Sequence, residues 1–416
     1  MKIRSITCFV PQVDAPTLDA AAGLNALARQ AFEAAGYDVQ SSRLATAPFA
    51  DLLPAADERT YVDFACRLEQ DAAACGFDYV SLGPALPEAP ASYRAIPAIL
   101  EATQNVFVSG AMTHGDRVSL PAVRACAEIV FRVASITPDG FANLRFCASA
   151  NVPPGAPFFP AAYHAPGASC IALALAIQAA DLAVLAFTTG GPEGAASLPS
   201  ARQFLIDVLE EHARSLSAIA GKLASAAGAS WGGIDFSLAP FPVDIESAGA
   251  ALEALGVPAL GLSGSLAAAA TLADTLDRAS FARAGFSGLM LPVLEDSRLA
   301  QRAAEGVLTL TDLLLYSAVC GTGLDTIPLP GDTTADELYA VLLDVAALAQ
   351  RLDKPLTARL MPIPGKQAGD PTGYDFAFFA NSRIMSLRAA PLRGFFAGEE
   401  DFSLIPHKTA RLETHS

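Results

Sequence analysis

The feature that most constrains this chain is alternation. Short apolar runs of strand character alternate with longer segments of helical period over most of its length. In the first half, strands are expected at Arg4 to Val10, Val39 to Leu44, Asp78 to Leu82, Val106 to Ser109 and Leu144 to Ala150. Helices are expected between them at Thr17 to Ala35, Tyr61 to Cys75, Tyr93 to Glu101 and Leu120 to Ser135. Leu24, Leu27, Ala31 and Phe32 share one face of the first helix, and Gly36 stops it.

The second half repeats the pattern. Ala168 to Ala179 is alanine-rich and reads as a helix, with Leu182 to Phe187 as the strand after it. Ser200 to Ala227 is the longest expected helix. Further helices are expected at Ile245 to Leu255, Leu266 to Arg278, Arg298 to Glu305, Thr311 to Val319 and Ala335 to Leu352. Strands are expected at Ile234 to Leu238, Ala259 to Leu262, Gly288 to Leu291, Thr326 to Leu329, Thr357 to Ile363 and Asp375 to Phe379. About ten to twelve strands separated by helices argue for parallel β-α units rather than a sandwich. No Pro/Ser-rich linker interrupts them, so residues 1–398 read as one unit, followed by a polar tail at 399–416.

Composition narrows the class. Hydrophobic residues make up 52% and charged residues 17% of the 416, which excludes disorder and implies a large core. The net charge of −16, without Lys/Arg runs, argues against nucleic acid as a partner. The most apolar run, Ile171 to Phe187, is interrupted by Gln178 and Asp181, which argues against a membrane span. The N-terminal residues lack a long apolar run and read as a strand, not a signal peptide. Seven scattered cysteines with no CxxC fit reduced thiols, and with them a cytoplasmic location.

The segment from Phe146 to His164 stands out. A short strand breaks at Asn151 into a loop with four prolines, a glycine and three aromatics, and ends on one of only five histidines. A strand running into a rigid loop places polar groups at a sheet rim.

Several strings in the second part of the chain resemble one family. Asn151 with Pro157-Phe158 and Tyr163-His164 is similar to its F-A-N…N-P-F-M-A-G-A-F-H-G block. Gly233 to Pro240 resembles G-I-V-D-L-S-L-A-P, and Leu291 to Asp296 resembles I-P-V-S-E-D. Cys320 to Asp325 is similar to C-S-V-G-L-D, and Pro364 to Asp370 to P-K-G-K-E-G-D. The family is the domain-of-unknown-function 711 family, also called uncharacterised protein family 0210. The match runs from about residue 140 to 375, and no string before residue 130 carries it.

The resemblance implies a pyruvate formate-lyase-like fold: a closed α/β barrel of ten strands, built from two five-stranded parallel halves packed antiparallel and surrounded by helices. It does not imply the radical chemistry of those lyases. They need an R-V-x-G-[YF] loop, and the nearest string here is Leu392-Arg393-Gly394-Phe395. The chain also departs from the family pattern at Ala165, and at Gly261 to Leu266 where the family reads G-T-H-G-T-T.

The chemistry-bearing candidates are few. Cys320 precedes Gly-Thr-Gly, where exposed N–H groups would favour a thiolate nucleophile; a buried thiol at a helix C-terminus fits the same string. His164 is a candidate general base or metal ligand, or else a hydrogen-bonded structural histidine. Asp235 and Ser237 alternate and so face one side of their strand, where Asp235 needs a ligand or an arginine. Glu295 and Asp296 precede a helix and suit a divalent cation, a substrate amine or an N-cap. Asp325 and Lys366 are candidates for an ion pair or anion contact, and Asn151 for a substrate contact. No P-loop, G-x-G-x-x-G, HExxH or GxSxG occurs, so no cofactor is recognised; a divalent cation stays open.

The expected function is a small-molecule enzyme, a lyase or hydrolase acting on a carbonyl or carboxylate metabolite. His164, Asp235, Glu295 and Cys320 would be catalytic, with Asn151, Ser237, Asp296, Asp325 and Lys366 binding substrate. The alternative is a non-catalytic metabolite-binding protein using the same pocket. A third option is an oligomeric scaffold, for which an exposed apolar face on the Ala168 to Ala179 helix would speak.

Overall fold

A computed structural model of the protein describes residues 1–189 and 197–407. Its strands are β1 (Lys2–Phe9), β2 (Ser42–Ala45), β3 (Tyr79–Ala85), β4 (Val106–Ala111), β5 (Thr113–His114), β6 (Arg117–Val118) and β7 (Phe146–Ala150). They continue with β8 (Ala172–Gln178), β9 (Ser230–Ala239), β10 (Gly323–Pro330), β11 (Leu356–Ile363) and β12 (Phe402–Ser403). Nine of them form one sheet in the order β10-β11-β7-β4-β3-β2-β1-β8-β9, and β12-β6-β5 form a small second sheet. The large sheet is mostly parallel, with helices packed against it. Strands β7, β4, β3, β2 and β1 run parallel. β8 and β11 flank that set antiparallel. Each flanking strand carries a parallel partner, β9 and β10 respectively.

Side-chain alternation explains why the sheet holds two different layers. Val80, Leu82, Val108, Leu173, Leu175, Ile234, Phe236, Leu324 and Leu360 point to the helices and join the main core. The opposite face is built from small and polar residues: Thr7, Ser81, Ser149, Ala174, Asp235 and Thr357 are all buried there. Small side chains leave room on that face, and the loop 151–164 occupies part of it. Ser81 Oγ lies 3.3 Å from Pro160 O and donates at 2.7 Å to Ala162 O, tying the loop to the middle of β3. Phe159 and Ala162 pack with Phe9, Ala45 and Ala174 in a separate apolar cluster.

Between β9 and β10 the chain lacks a regular strand but still pairs on both sides. Single parallel bridges join Ile234 to Arg283 and Pro292 to Asp325. The amides of Ala284 and Leu238 complete the β9 side by bonding to Ile234 O (2.9 Å) and Gly288 O (3.2 Å). On the β10 side, Gly321 N donates to Leu289 O at 3.3 Å and Val293 N to Asp325 O at 3.0 Å.

Several expectations are corrected here. Residues 168–179 do not form a helix: Ala172–Gln178 is strand β8, and the helix is the segment after it, Ala180–Thr189. The string A-L-A-L-A-I-Q has period two. Its position between β1 and β9 favours strand over the helix propensity of alanine, which is a weak prior against tertiary pairing. The apolar helix face on which the scaffold option depended therefore does not exist. Gly288 to Leu291 pairs irregularly, Ala259 to Leu262 holds only a bridge from Leu260 to Leu262, and Asp375 to Phe379 is not a strand. The last of these is an aromatic knot: Phe376 and Phe379 meet Phe141 at 5.1 and 6.0 Å. Of the polar tail, residues 408–416 lie outside the described residues, and Phe402–Ser403 pairs with β6.

Gly285 sits at a tight point of the irregular segment. Its φ is 60°, and a Cβ there would run into the Asp235 carboxylate. Gly285→Ala is expected to lower stability by about 1–3 kcal/mol in urea unfolding, since alanine would have to hold a left-handed conformation and displace a buried carboxylate.

Candidate functional site

A cavity of about 420 Å³ opens on the small-residue face of the large sheet. β1, β2, β3, β4, β8, β9 and β11 all contribute to its wall, so the sheet curls strongly around it. It lies where β1 to β4 begin, at Arg4, Ser41, Asp78, Tyr79 and Asn105. It also lies where β8 and β9 end, at Ala176, Ile177, Ser237 and Ala239. Those two sets share one end because β8 runs antiparallel to β1. Phe158 and Phe159, at the tip of the 151–164 loop, reach the cavity from below, and Phe376 and Phe378 also line it.

A buried ionic chain forms one wall. Arg359, in the middle of β11, donates from Nε to Asp325 Oδ1 at 2.6 Å and from Nη2 to Glu295 Oε1 at 2.8 Å. Arg4 binds the other oxygen of Glu295. Burial alone would raise the Glu295 pKa, but Arg4 and Arg359 override it and hold the carboxyl below its ordinary range. Asp325 goes the other way. Burial raises it, the pull of Arg359 is insufficient, and the neighbouring Glu295 charge pushes it further up. Its second oxygen has no hydrogen-bond partner. Burial and the neighbouring charges thus push the two carboxyls in opposite directions although they share one guanidinium.

β10 delivers Asp325 through an irregularity. Between Leu324 and Ile327 the ladder gains one residue over Ala358 to Leu360 of β11, and Thr326 adopts φ 44°. The extra residue turns Asp325 towards Arg359.

Two further guanidiniums line the cavity without an ion-pair partner among the described residues: Arg145, which donates to the carbonyls of Leu100 and Thr103, and Arg43. Arg43, on β2, donates from Nε to Ser41 Oγ at 3.0 Å. Its guanidinium carbon lies 5.0 Å from the Phe159 ring centre and 5.8 Å from that of Tyr79. Burial, aided by the like charge of Arg4, pulls its pKa down to about 9.

The other expected site residues divide clearly. Asp235, Ser237 and Glu295 line the cavity. Asp235 lies on β9 and is already saturated. It accepts from Ser237 N at 2.9 Å, from Phe286 N and Ser287 N at 3.0 Å, and from Ser237 Oγ. Burial raises its pKa, although those donors oppose the shift. Asp325 lies behind the wall, touching the cavity only through Arg359.

His164 does not line the cavity, contrary to expectation. It is 7% exposed; its Nε2 lies 2.9 Å from Cys170 O and its Nδ1 accepts from Ala165 N at 3.0 Å. Asn151 is also outside, holding φ 56° and accepting from Thr113 Oγ1 at 2.9 Å. Both belong to the end where β7 and its parallel neighbours finish, whereas the cavity is at the end where they start. Cys320 is 1% exposed in the main core, near the C-terminal end of helix Leu310–Tyr316. Asp296 is an N-cap: its carboxylate accepts from Leu299 N at 3.0 Å, Ser247 Oγ at 2.6 Å and Gly249 N at 3.1 Å. Lys366 lies in the turn after β11 and is not on the wall. Among the described residues no group of three or more His, Cys, Asp or Glu side chains is arranged to hold a metal ion.

The arginines Arg4, Arg43 and Arg359 were missed in the sequence. A signal existed: an arginine inside an apolar strand such as L-T-A-R-L-M-P-I must be paired or lie beside a polar space.

Fold and site together define an α/β protein with a partly open cavity whose walls are arginine, carboxylate and aromatic. The chain belongs to the family described as uncharacterised ACR (DUF711), whose model matches residues 1–376. The match reaches the N-terminal third, where no resembling string was found. A UPF0210 protein of Pyrobaculum arsenaticum is 34% identical over 353 residues, covering 80% of this chain and 76% of that protein. A UPF0210 protein of Neisseria gonorrhoeae is 29% identical over 348 residues, with the same coverage.

Two outcomes follow from this geometry. Arg359→Met leaves Glu295 and Asp325 buried without their shared partner, and is expected to cost about 3–5 kcal/mol in chemical denaturation. Iodoacetamide is expected to alkylate Cys170, the exposed cysteine, first and Cys320 only on unfolding, read by peptide mass spectrometry.

Proposed function

We propose that this chain is an enzyme of small-molecule metabolism, a lyase or hydrolase acting on a carbonyl or carboxylate metabolite in the 420 Å³ cavity. The observation that carries the reading is the Glu295–Arg359–Asp325 arrangement: two carboxyls hydrogen-bonded to one guanidinium, with Glu295 and Arg359 on the cavity wall and Asp325 behind it. Glu295 would move the proton at the substrate, and Asp325 would tune it through Arg359. Asp235 and Ser237 would shape the floor. His164 and Cys320, lying off the wall, have no part in it. Gly394 lies on an exposed segment away from the cavity, and glycyl-radical chemistry is not part of the proposal.

The proposal includes closure of the sheet. Residues 283–293, bonded to β9 on one side and β10 on the other, would act as a tenth strand and complete two five-stranded parallel halves. The pyruvate formate-lyase-like barrel has that arrangement. A reduced, cytoplasmic setting is also proposed, supported by seven free cysteines.

A non-catalytic metabolite-binding protein is the second reading. It is favoured by a cavity wall that, among the described residues, holds no thiol or imidazole, and by the full engagement of Glu295 by Arg4 and Arg359. One experiment separates the two. Wild type and Glu295→Gln are incubated with a mixture of carbonyl and carboxylate metabolites, followed by mass spectrometry, with melting temperature as folding control. The enzyme reading expects substrate loss and product gain that fall by about 10²-fold or more in Glu295→Gln. Retention of one metabolite by both proteins, without product, would assign binding instead.

A further inference from the structure

From the free edge of Arg43 we infer that the cavity takes a flat, unsaturated or aromatic carboxylate, whose carboxylate group sits on the Arg43 guanidinium. The inference rests on the small-molecule reading above and specifies its substrate class.

A guanidinium has five N–H donors in a planar fork. In Arg43 only Nε finds a protein acceptor, Ser41 Oγ. Among the described residues no carboxylate forms an ion pair with Arg43 and its outer nitrogens have no hydrogen-bond acceptor, while the residue lines the cavity. The contrast with Arg4 and Arg359 is direct, because each of those is ion-paired to Glu295. Arg43 is also held in place. Ser41 Oγ donates to Arg4 O at 2.7 Å while accepting from Arg43 Nε, so the serine is fixed by the backbone of β1. Phe159 and Tyr79 flank the guanidinium, and Phe107 supports both rings at 5.6 and 5.4 Å. A planar cation fixed with its outer edge free is preorganised for a bidentate planar anion.

The rest of the wall selects the body of the ligand. Phe107 and Phe159 line the cavity beside Arg43 and Phe158 beside Arg359, and Met290 and Phe378 also contribute. Such walls suit a flat π-system better than a polyol or a flexible chain. The burial that weakens Arg43 as a lone cation would be relieved by a bound anion.

The test uses the full-length protein with benzoate, benzamide, phenyl phosphate and acetate as probes, by calorimetry and thermal shift. Benzoate is expected to bind and raise the melting temperature, with acetate weaker and the neutral benzamide inactive. Arg43→Gln is expected to weaken benzoate by about tenfold to a hundredfold. Arg43→Lys should recover only part of the loss, since it restores charge without the fork. Because Arg43 has no carboxylate partner, the melting temperature of Arg43→Gln without ligand is expected within about 2 °C of wild type.

Benzamide matching benzoate, or phenyl phosphate binding where benzoate does not, would overturn the carboxylate assignment. So would a large loss of stability in Arg43→Gln with benzoate affinity unchanged, because Arg43 would then be a structural clamp. Failure of the two readings is distinguishable. Benzoate binding through Arg43 without turnover of any metabolite sinks the enzyme reading and leaves this site standing. Turnover with unchanged KM in Arg43→Gln sinks this site and leaves the enzyme reading standing.

Discussion

The ion chain Arg4–Glu295–Arg359–Asp325 is the interaction on which the arrangement depends. Its members come from β1, from the segment that follows the irregular pairing, from β11 and from β10. Those elements belong to different parts of the chain: β1 lies in the central parallel set, and β11 and β10 form one flank of it. A strand ladder constrains only nearest neighbours, whereas this chain spans the space the sheet curls around. Its charges are buried, so each is tolerable only while its partner is present. Three of the charges that tie β1 to the β11–β10 flank, Arg4, Glu295 and Arg359, also form part of the cavity wall.

The antiparallel junctions at β1/β8 and β7/β11 decide which residues meet. In a sheet with all strands parallel, every strand would end at the same rim, and Asn151, His164, Asp235 and Glu295 would converge. Here the direction reverses at both junctions. Asp235 and Glu295 keep company with the starting ends of β1 to β4, where arginines lie. Asn151 and His164 go to the far end. The loop between them nevertheless reaches the cavity, because its tip, Phe158 and Phe159, folds back against strands whose inward residues are small.

Much of the fold was legible in the sequence. The helices around Leu24, Leu68, Val123 and Leu338 follow from their apolar period, the first of them also from Gly36 at its end, and β1, β4, β7 and β11 follow from their runs. What failed did so for physical reasons. In β8 alanine propensity and period-two alternation disagree, and only the neighbouring strands decide between them. Residues 288–291 carry strand-like side chains but pair irregularly, and Gly288 lies so close to Gly321 that a Cβ on either would clash. At the site, Glu295, Asp235 and Ser237 were legible because a carboxylate beside an apolar strand demands a partner. The arginine partners were not located, because pairing across more than 290 positions, as between Arg4 and Glu295, leaves no local trace.

The inward residues show how one face of a sheet can be core and cavity at once. Serine, threonine and alanine on the strands leave space. The 151–164 loop fills that space at one end with Phe159 and Ala162, and buried charges frame it at the other. Larger aliphatic residues at Ser81 or Ala174 would displace the loop tip and with it the aromatic bed beneath Arg43. The free edge of that arginine thus depends on residues that carry no charge. A volume change there would displace Phe159 before it disturbed the ionic chain, since Phe159, not Glu295, is what the small residues hold in place.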